Sequence, residues 1–286
     1  MTKIRPLCVY HADCADGYAS ACVVSLKFQH NIDLYPADYN DLPPDVTGRD
    51  IYIVDFSYKQ TVMRKIITAA AHVTVIDHHK SALEELTPLM NDQTLYGKAS
   101  FIFDMTRSGV GLTWKHFFPK AEFPALFRYV EDYDLFIFLY GETSHEIHAA
   151  ITSYPYTLDA WTYLLGVDKD LLAREGRAIL RKTVKDVNDI LQQDQRHMLI
   201  GGYKVPVVNA PRFYRDVIGQ RLHTETSPFS ASYHDTPKGR VFSLRAASNS
   251  AVDVSLIARV YGGGGHQAAA SFTAALGWEG DINDPA

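Results

Sequence analysis

Several short apolar runs in this chain end abruptly in Asp and His, and that pairing constrains the fold more than any other feature. The clusters read His11-Ala12-Asp13-Cys14-Ala15-Asp16-Gly17, Ile53-Val54-Asp55, Ile76-Asp77-His78-His79 and Val130-Glu131-Asp132-Tyr133-Asp134. A fifth, far downstream, is Gly262–Gly265 followed by His266. The first three follow β-branched, strand-like segments, so their acids and imidazoles should stand at C-terminal strand ends, where open α/β sheets gather ligand sites. Carboxylates collected there repel one another unless cations neutralise them. Oxygen ligands with some imidazole suit Mn²⁺ or Mg²⁺ better than a thiolate-seeking metal. The chemistry expected is a two-metal site that holds a phosphate.

The pattern between the clusters gives the fold class. Leu7–His11, Ile51–Asp55 and Val73–Asp77 read as strands. Helices are expected from Asp16-Gly17 to about His30, over Thr61–Ala71, from Lys80 through Leu86, over Ser108–Phe118 and over Ala125–Asp134. Strands alternating with helices imply right-handed crossovers and a mostly parallel sheet. From Asp168 to Met198 there is no Pro and no Gly after Gly176, while Leu172, Ile179, Leu180, Val184, Val187 and Leu191 recur at helical spacing. This predicts a connecting helix ended by Gly201-Gly202. Short strands follow at Lys204–Asn209, Phe229–Tyr233 and Val241–Ala246, then a helix over Val252–Tyr261. The expected organisation is a metal-binding α/β domain over 1–166, a connecting helix over 167–199 and a smaller α/β domain over 200–286.

A chain of 286 residues fits two domains better than one. Its formal net charge of −5 argues against a bulk electrostatic grip on long duplex DNA, though not against a small phosphorylated substrate. Cys8, Cys14 and Cys22 lack zinc-knuckle spacing, no secretory signal precedes them, and no apolar run approaches the roughly 20 residues of a membrane span. A reduced, cytoplasmic protein without membrane partners is expected.

Each cluster has a plainer alternative. Asp16 could merely cap the following helix, and an Asp after a strand, as at Asp55, is often a turn residue. Asp77-His78-His79 differs, because three polar groups ending an apolar strand are costly to leave unpaired. One glycine would serve as a helix C-cap, whereas four before a His suggest backbone N–H groups turned toward an anion. His145 and His148 favour a solvated helix face, and the aromatic stretch Phe127–Tyr140 favours core and domain interface. Arg212 and Arg215 read as surface cations, while Arg245 carries more weight because it ends a strand shortly before the glycine loop.

In this order and company the motifs resemble the DHH phosphoesterase family over nearly the whole chain. Asp77-His78-His79 matches the signature that names the family, and the stretch from Ile257 through Gly262–His266 to Ala268-Ala269 resembles its C-terminal associated domain. The resemblance implies a Mn²⁺-dependent phosphoesterase using two ions, with Mg²⁺ as the alternative. His11 and Asp13 would hold one ion, Asp16, His78 and Asp132 the other, and Asp55 would bridge them. Asp55, Asp77, His78 and His79 would make up the catalytic group, Asp77 supporting the site and His79 reaching the scissile phosphate. Arg245, Gly263, Gly264, Gly265 and His266 would bind the distal phosphate or sugar. The implied substrate is a short oligonucleotide or small nucleotide, and a homodimer is compatible with the family. Two features depart from its pattern, and one ligand position has two candidates. Asp13 and Asp16 are separated by two residues instead of one, leaving Cys14 as the alternative ligand. Asp134 competes with Asp132, and Ser271 stands where Gly often follows the paired Ala.

Overall fold

Residues 4–39, 41–222, 227–247 and 250–281 are described by a computed structural model. The chain divides into two compact units between Ile179 and Leu180. In the first, β1 (Leu7–His11), β2 (Asp33–Ala37), β3 (Asp50–Val54), β4 (His72–Asp77) and β5 (Ala99–Phe103) form a sheet of order β2-β1-β3-β4-β5. Every pairing in it is parallel. Helices α1 (Ala15–Lys27), α2 (Gln60–Ala69), α3 (Lys80–Met90) and α4 (Gly109–Phe117) are interleaved with the strands or follow them. A helical run then continues with α5 (Ala125–Asp134), α6 (Glu142–Ser153), α7 (Leu158–Gly166) and α8 (Lys169–Asp194).

Alternation along the strands explains why the sheet is buried on both faces. Leu7 and Val9 of β1, with Ile51 and Ile53 of β3, join the core that includes Met63 and Ile67 of α2 and Leu86 of α3. Cys8, Tyr10 and Val54 point the other way, into the core built with α1, α4, α5, α6 and α7. The edge strand β2 goes beyond the sequence reading. It carries Pro36, opposite Tyr10, and an edge is where a strand tolerates Pro.

The connecting helix is shorter than its sequence suggests. It ends at Asp194, and β6 (Arg196–Ile200) begins almost at once. Gly201-Gly202 is the two-residue turn from β6 into β7 (Tyr203–Asn209), with φ of +59° and +83°. Both values suit the primed turns that glycine favours in hairpins. Leu172 and Ala173 of α8 belong to the first unit's core, whereas Val187 packs with Val208, Ala210, Ile218 and Leu222 of the second.

The second unit adds α9 (Arg215–Leu222), β8 (Ser230–Thr236), β9 (Gly239–Arg245), α10 (Val254–Val260), β10 (Gly264–Gly265) and β11 (Ala269–Ala274). Its sheet runs β10-β11-β9-β8-β7-β6, with β7 and β8 parallel and the remaining pairs antiparallel. Among the described residues no helix is long and apolar enough to cross a membrane.

Candidate metal centre

In a sheet of this order the crossovers part company between β1 and β3, leaving a crevice at the strands' C-terminal ends. His11 ends β1, Asp55 follows β3, and Asp77 ends β4. Gly17 lets α1 start tight against this edge, since a Cβ there would lie 2.4 Å from the His11 carbonyl oxygen. Asp55 is buried and holds a left-handed backbone, φ +61°, a conformation Asp tolerates better than most residues. Its N–H donates to the Ile76 carbonyl at 3.0 Å, which ties the turn to β4.

The Asp55 carboxylate is the hub. Its Oδ1 lies 3.2 Å from His78 Nε2, and its Oδ2 lies 3.5 Å from His11 Nδ1 and 3.4 Å from Cys14 Sγ. His78 Nε2 also sits 3.9 Å from Asp16 Oδ2 and 3.4 Å from Asp134 Oδ2. Three groups therefore offer ligand atoms mutually within 4.8 Å: His11, Cys14 and Asp55; Asp55, His78 and His79; and Asp16, His78 and Asp134.

Asp77 plays a different part. Its Oδ1 accepts from the His78 N–H at 2.7 Å, the His79 N–H at 3.1 Å and His79 Nδ1 at 2.7 Å. A carboxylate only accepts, so Nδ1 of His79 carries the proton and the ring's orientation is fixed. Asp16 is held by a device the sequence analysis did not single out, the N-terminus of α4. The Gly109 and Val110 N–H groups donate to its two oxygens at 2.5 and 3.0 Å. A Cβ on Gly109 would lie 2.7 Å from both Asp16 Oδ2 and the Asp55 Cβ. Ser108, which caps α4 through the Gly111 N–H, followed by Gly109, was the available signal.

Placement bears on two register questions. Cys14, not Asp13, joins the ligand groups, and Asp13 is exposed in a left-handed turn, φ +51°. Asp134, not Asp132, faces His78. The Asp132 carboxylate is engaged elsewhere, accepting from the Leu139 N–H at 2.7 Å and from the Ser144 hydroxyl.

Crowding of carboxylates sets the electrostatics. Burial, then the charges of Asp55 and Asp134, push Asp16 well above the usual carboxylate range. Burial and the Asp55 charge push Asp134 up to about 6. Burial also works against ionised Asp55, but hydrogen bonds from His11 and His78 outweigh it and hold that carboxyl below its ordinary value. For His78 burial works against the charged ring, yet the bond to Asp55 and the surrounding carboxylates push it up to about 10. The Asp77 and Asp134 Oδ2 atoms are buried without a hydrogen bond. Orphaned anionic oxygens among imidazoles are the donor set a divalent cation satisfies. Among the described residues His11, Cys14, Asp16, Asp55, His78, His79 and Asp134 fit that demand.

In the second unit the glycine run divides its work. Gly262, φ +76°, and Gly263 close α10 by donating to the Arg259 and Ala258 carbonyls at 3.0 and 2.9 Å, a Schellman cap. Gly263 and Gly265 lie so close to β11 that a Cβ would reach 2.1 Å from the Ser271 oxygen and 2.5 Å from the Ala269 oxygen. Gly264 alone of the four has a φ outside the left-handed region and open space where a Cβ would stand. His266 is exposed, and its N–H donates to the Ala269 carbonyl at 2.7 Å. Arg245, opposite Ala269 in the sheet, is ion-paired with Asp216 at 2.7 Å.

No family model matches the chain. An uncharacterised protein of Acanthamoeba polyphaga mimivirus is 29% identical over 287 residues, a match covering 91% of this chain and 65% of that protein. This chain thus spans about two thirds of its relative's length. The solved structures it is similar to include PggH, a pGpG-specific phosphodiesterase from Vibrio cholerae (15% identity, TM-score 0.49, covering 96% of this chain and 94% of that one); an exopolyphosphatase-related protein from Bacteroides fragilis (13%, 0.49, 98% and 88%); and RecJ with Mn²⁺ from Thermus thermophilus (15%, 0.48, 94% and 49%).

Proposed function

We propose that the chain is a metal-dependent phosphoesterase of the DHH family that hydrolyses short oligonucleotides or small nucleotides. The observation that carries this reading is Asp55, buried at the sheet's switch point and shared between two potential ligand groups. In the proposal His11 and Asp55, with Cys14 beside them, would hold one ion, and Asp16, His78 and Asp134 would hold the other, with Asp55 reaching the second set through its 3.2 Å approach to His78. Mn²⁺ is the preferred ion and Mg²⁺ the alternative, because carboxylate and imidazole outnumber the single thiol. Two such ions supply an activated water and charge neutralisation at a phosphoryl group.

The protein's own groups do the rest. The α4 N–H groups keep Asp16 from turning away, and Asp77 presents the far edge of His79 to a phosphate oxygen. In the second unit, His266 and the backbone at Gly264 would bind a phosphate or sugar of the substrate. A cyclic-dinucleotide phosphodiesterase or single-strand exonuclease would use the same centre, and an inactive nucleotide sensor is the non-enzymatic rival.

The test is turnover by chelated, dialysed protein on pApA, pAp, longer RNA and single-stranded DNA. No hydrolysis is expected until Mn²⁺ is added, with short substrates preferred and Zn²⁺ a poor replacement. Full activity in excess chelator would overturn the metal centre. Nucleotide binding without turnover under any divalent ion would favour the sensor.

A further inference from the structure

Cys14 stands at the N-cap of α1, yet its thiol makes no hydrogen bond to the helix amides. Ser, Thr, Asp or Asn would cap better, so helix formation gives no reason for a cysteine here. The side chain meets the cluster instead. Its Sγ lies 3.4 Å from Asp55 Oδ2, the same oxygen that His11 Nδ1 approaches at 3.5 Å. The left-handed backbone of Asp13, φ +51°, leaves Asp13 exposed and brings Cys14 in. One nitrogen, one sulfur and one oxygen are thereby gathered within 4.8 Å of one another. Around a tetrahedral ion, sulfur at about 2.3 Å and nitrogen or oxygen at about 2.0 Å stand roughly 3.5 Å apart, and the two Asp55 separations match that spacing. The other set, Asp16, His78 and Asp134, offers only oxygen and nitrogen.

We infer that Cys14 is a thiolate ligand that makes the two ion sites chemically unlike. The His11, Cys14 and Asp55 site selects a thiophilic divalent cation such as Zn²⁺, while the Asp16, His78 and Asp134 site keeps Mn²⁺ or Mg²⁺. The inference rests on the reading of the cluster as a two-ion centre and refines which ion goes where. Thiolate is a soft ligand that favours Zn²⁺ over Mn²⁺, whereas carboxylates suit the harder ions. As the sulfur–metal bond forms, the thiol proton passes to solvent. Excess Mn²⁺ fills both sites when no softer ion competes. Zn²⁺ alone would put the wrong ion in the second set, which is why it should replace Mn²⁺ poorly in turnover.

The experiment reads metal binding by the full chain without substrate. Co²⁺ is titrated into chelated, dialysed protein, and the near-ultraviolet thiolate-to-Co²⁺ charge-transfer band is recorded. Zinc and manganese contents are then measured after dialysis against excess Mn²⁺ with Zn²⁺ equimolar to protein. Wild type should show the band and retain nearly all the zinc supplied. Cys14→Ser should lose the band, and Cys14→Asp should exchange most of that zinc for manganese, its manganese content showing that the site still folds. Asp13→Asn, which suits the left-handed turn, should change neither readout. No band in wild type, a band surviving in Cys14→Ser, the same zinc-to-manganese ratio in wild type and Cys14→Asp, or a Cys14→Asp chain that binds neither metal overturns the inference. The band and the zinc, found in a protein that hydrolyses no phosphoester, keep the inference and remove the enzymatic reading. Mn²⁺-dependent hydrolysis by a protein without the band does the reverse.

Discussion

Asp132 and Asp134 stand two positions apart on α5, and that spacing separates their work. Residues i and i+2 of a helix do not share a face, so only one of the pair can look into the cluster. Asp134 does, while Asp132 braces the following loop and the Ser144 hydroxyl. Asp134→Ala should therefore lower bound metal per chain, measured by mass spectrometry after gel filtration, with little change in exchange of loop amides. Asp132→Ala should keep its metal but cost about 1–3 kcal/mol, the penalty for leaving donors unpaired, and speed hydrogen exchange at Ile137 and Leu139. The reverse pattern would return the ligand role to Asp132. Sequence alone could not rank two acids so near each other. The same holds for Asp13 and Cys14, where carboxylate chemistry favours the first and the left-handed turn brings in the second. Gly109 was harder to see, because a glycine opening a helix looks like a weak helix former. Gly109→Ala would force a methyl against Asp16 and Asp55, and metal affinity should fall with the fold retained.

At the scale of elements, the first unit's strands β1, β3 and β4 were legible, while β2 and β5 were not. β1, β3 and β4 carry buried apolar side chains along most of their length and announce themselves, whereas β2 contains Asp33 and Pro36. β6 was absorbed into the preceding helix because no Pro or Gly separates Asp194 from Arg196. The glycine run was legible as a loop but not in its division of labour. Gly263→Ala places a Cβ against the backbone of β11 and should destabilise the second unit by about 1–3 kcal/mol, as overpacking does. Gly264→Ala should shift stability by less than about 0.5 kcal/mol and, if the backbone there meets substrate, raise KM for pApA. Equal melting temperatures for the two variants would show that the close approach at Gly263 relaxes freely.

At the scale of the whole molecule, the unbalanced carboxylates make stability a function of pH and cation together. Asp134, raised to about 6, contributes stability in the metal-free protein at low pH and loses it as pH climbs from the ordinary carboxylate value through 6. His78, raised to about 10, contributes fully below the ordinary imidazole value and loses its share as pH approaches 10. Asp55 works in the opposite sense, but only in acid, below its unperturbed value. The chelated protein should thus melt at progressively lower temperature from about pH 5 to pH 9, and the gain on adding Mn²⁺ should grow over the same window, because binding displaces protons. A thermal shift independent of pH would mean that the ions bind elsewhere.

The ligand groups come from the ends of β1, β3 and β4, from α1 and from α5, with the α4 amides behind them. More than a hundred residues separate His11 from Asp134 along the chain. Neither proposed ion site is complete within a single crossover, and parallel sheets assemble slowly because loop closure precedes their contacts. Filling both proposed sites would then be a late folding event, since a nascent chain emerging only as far as β4 still lacks Asp134 and the amides that hold Asp16. Release of a bound divalent ion during unfolding would report the loss of sheet order directly, without any spectroscopic label on the protein.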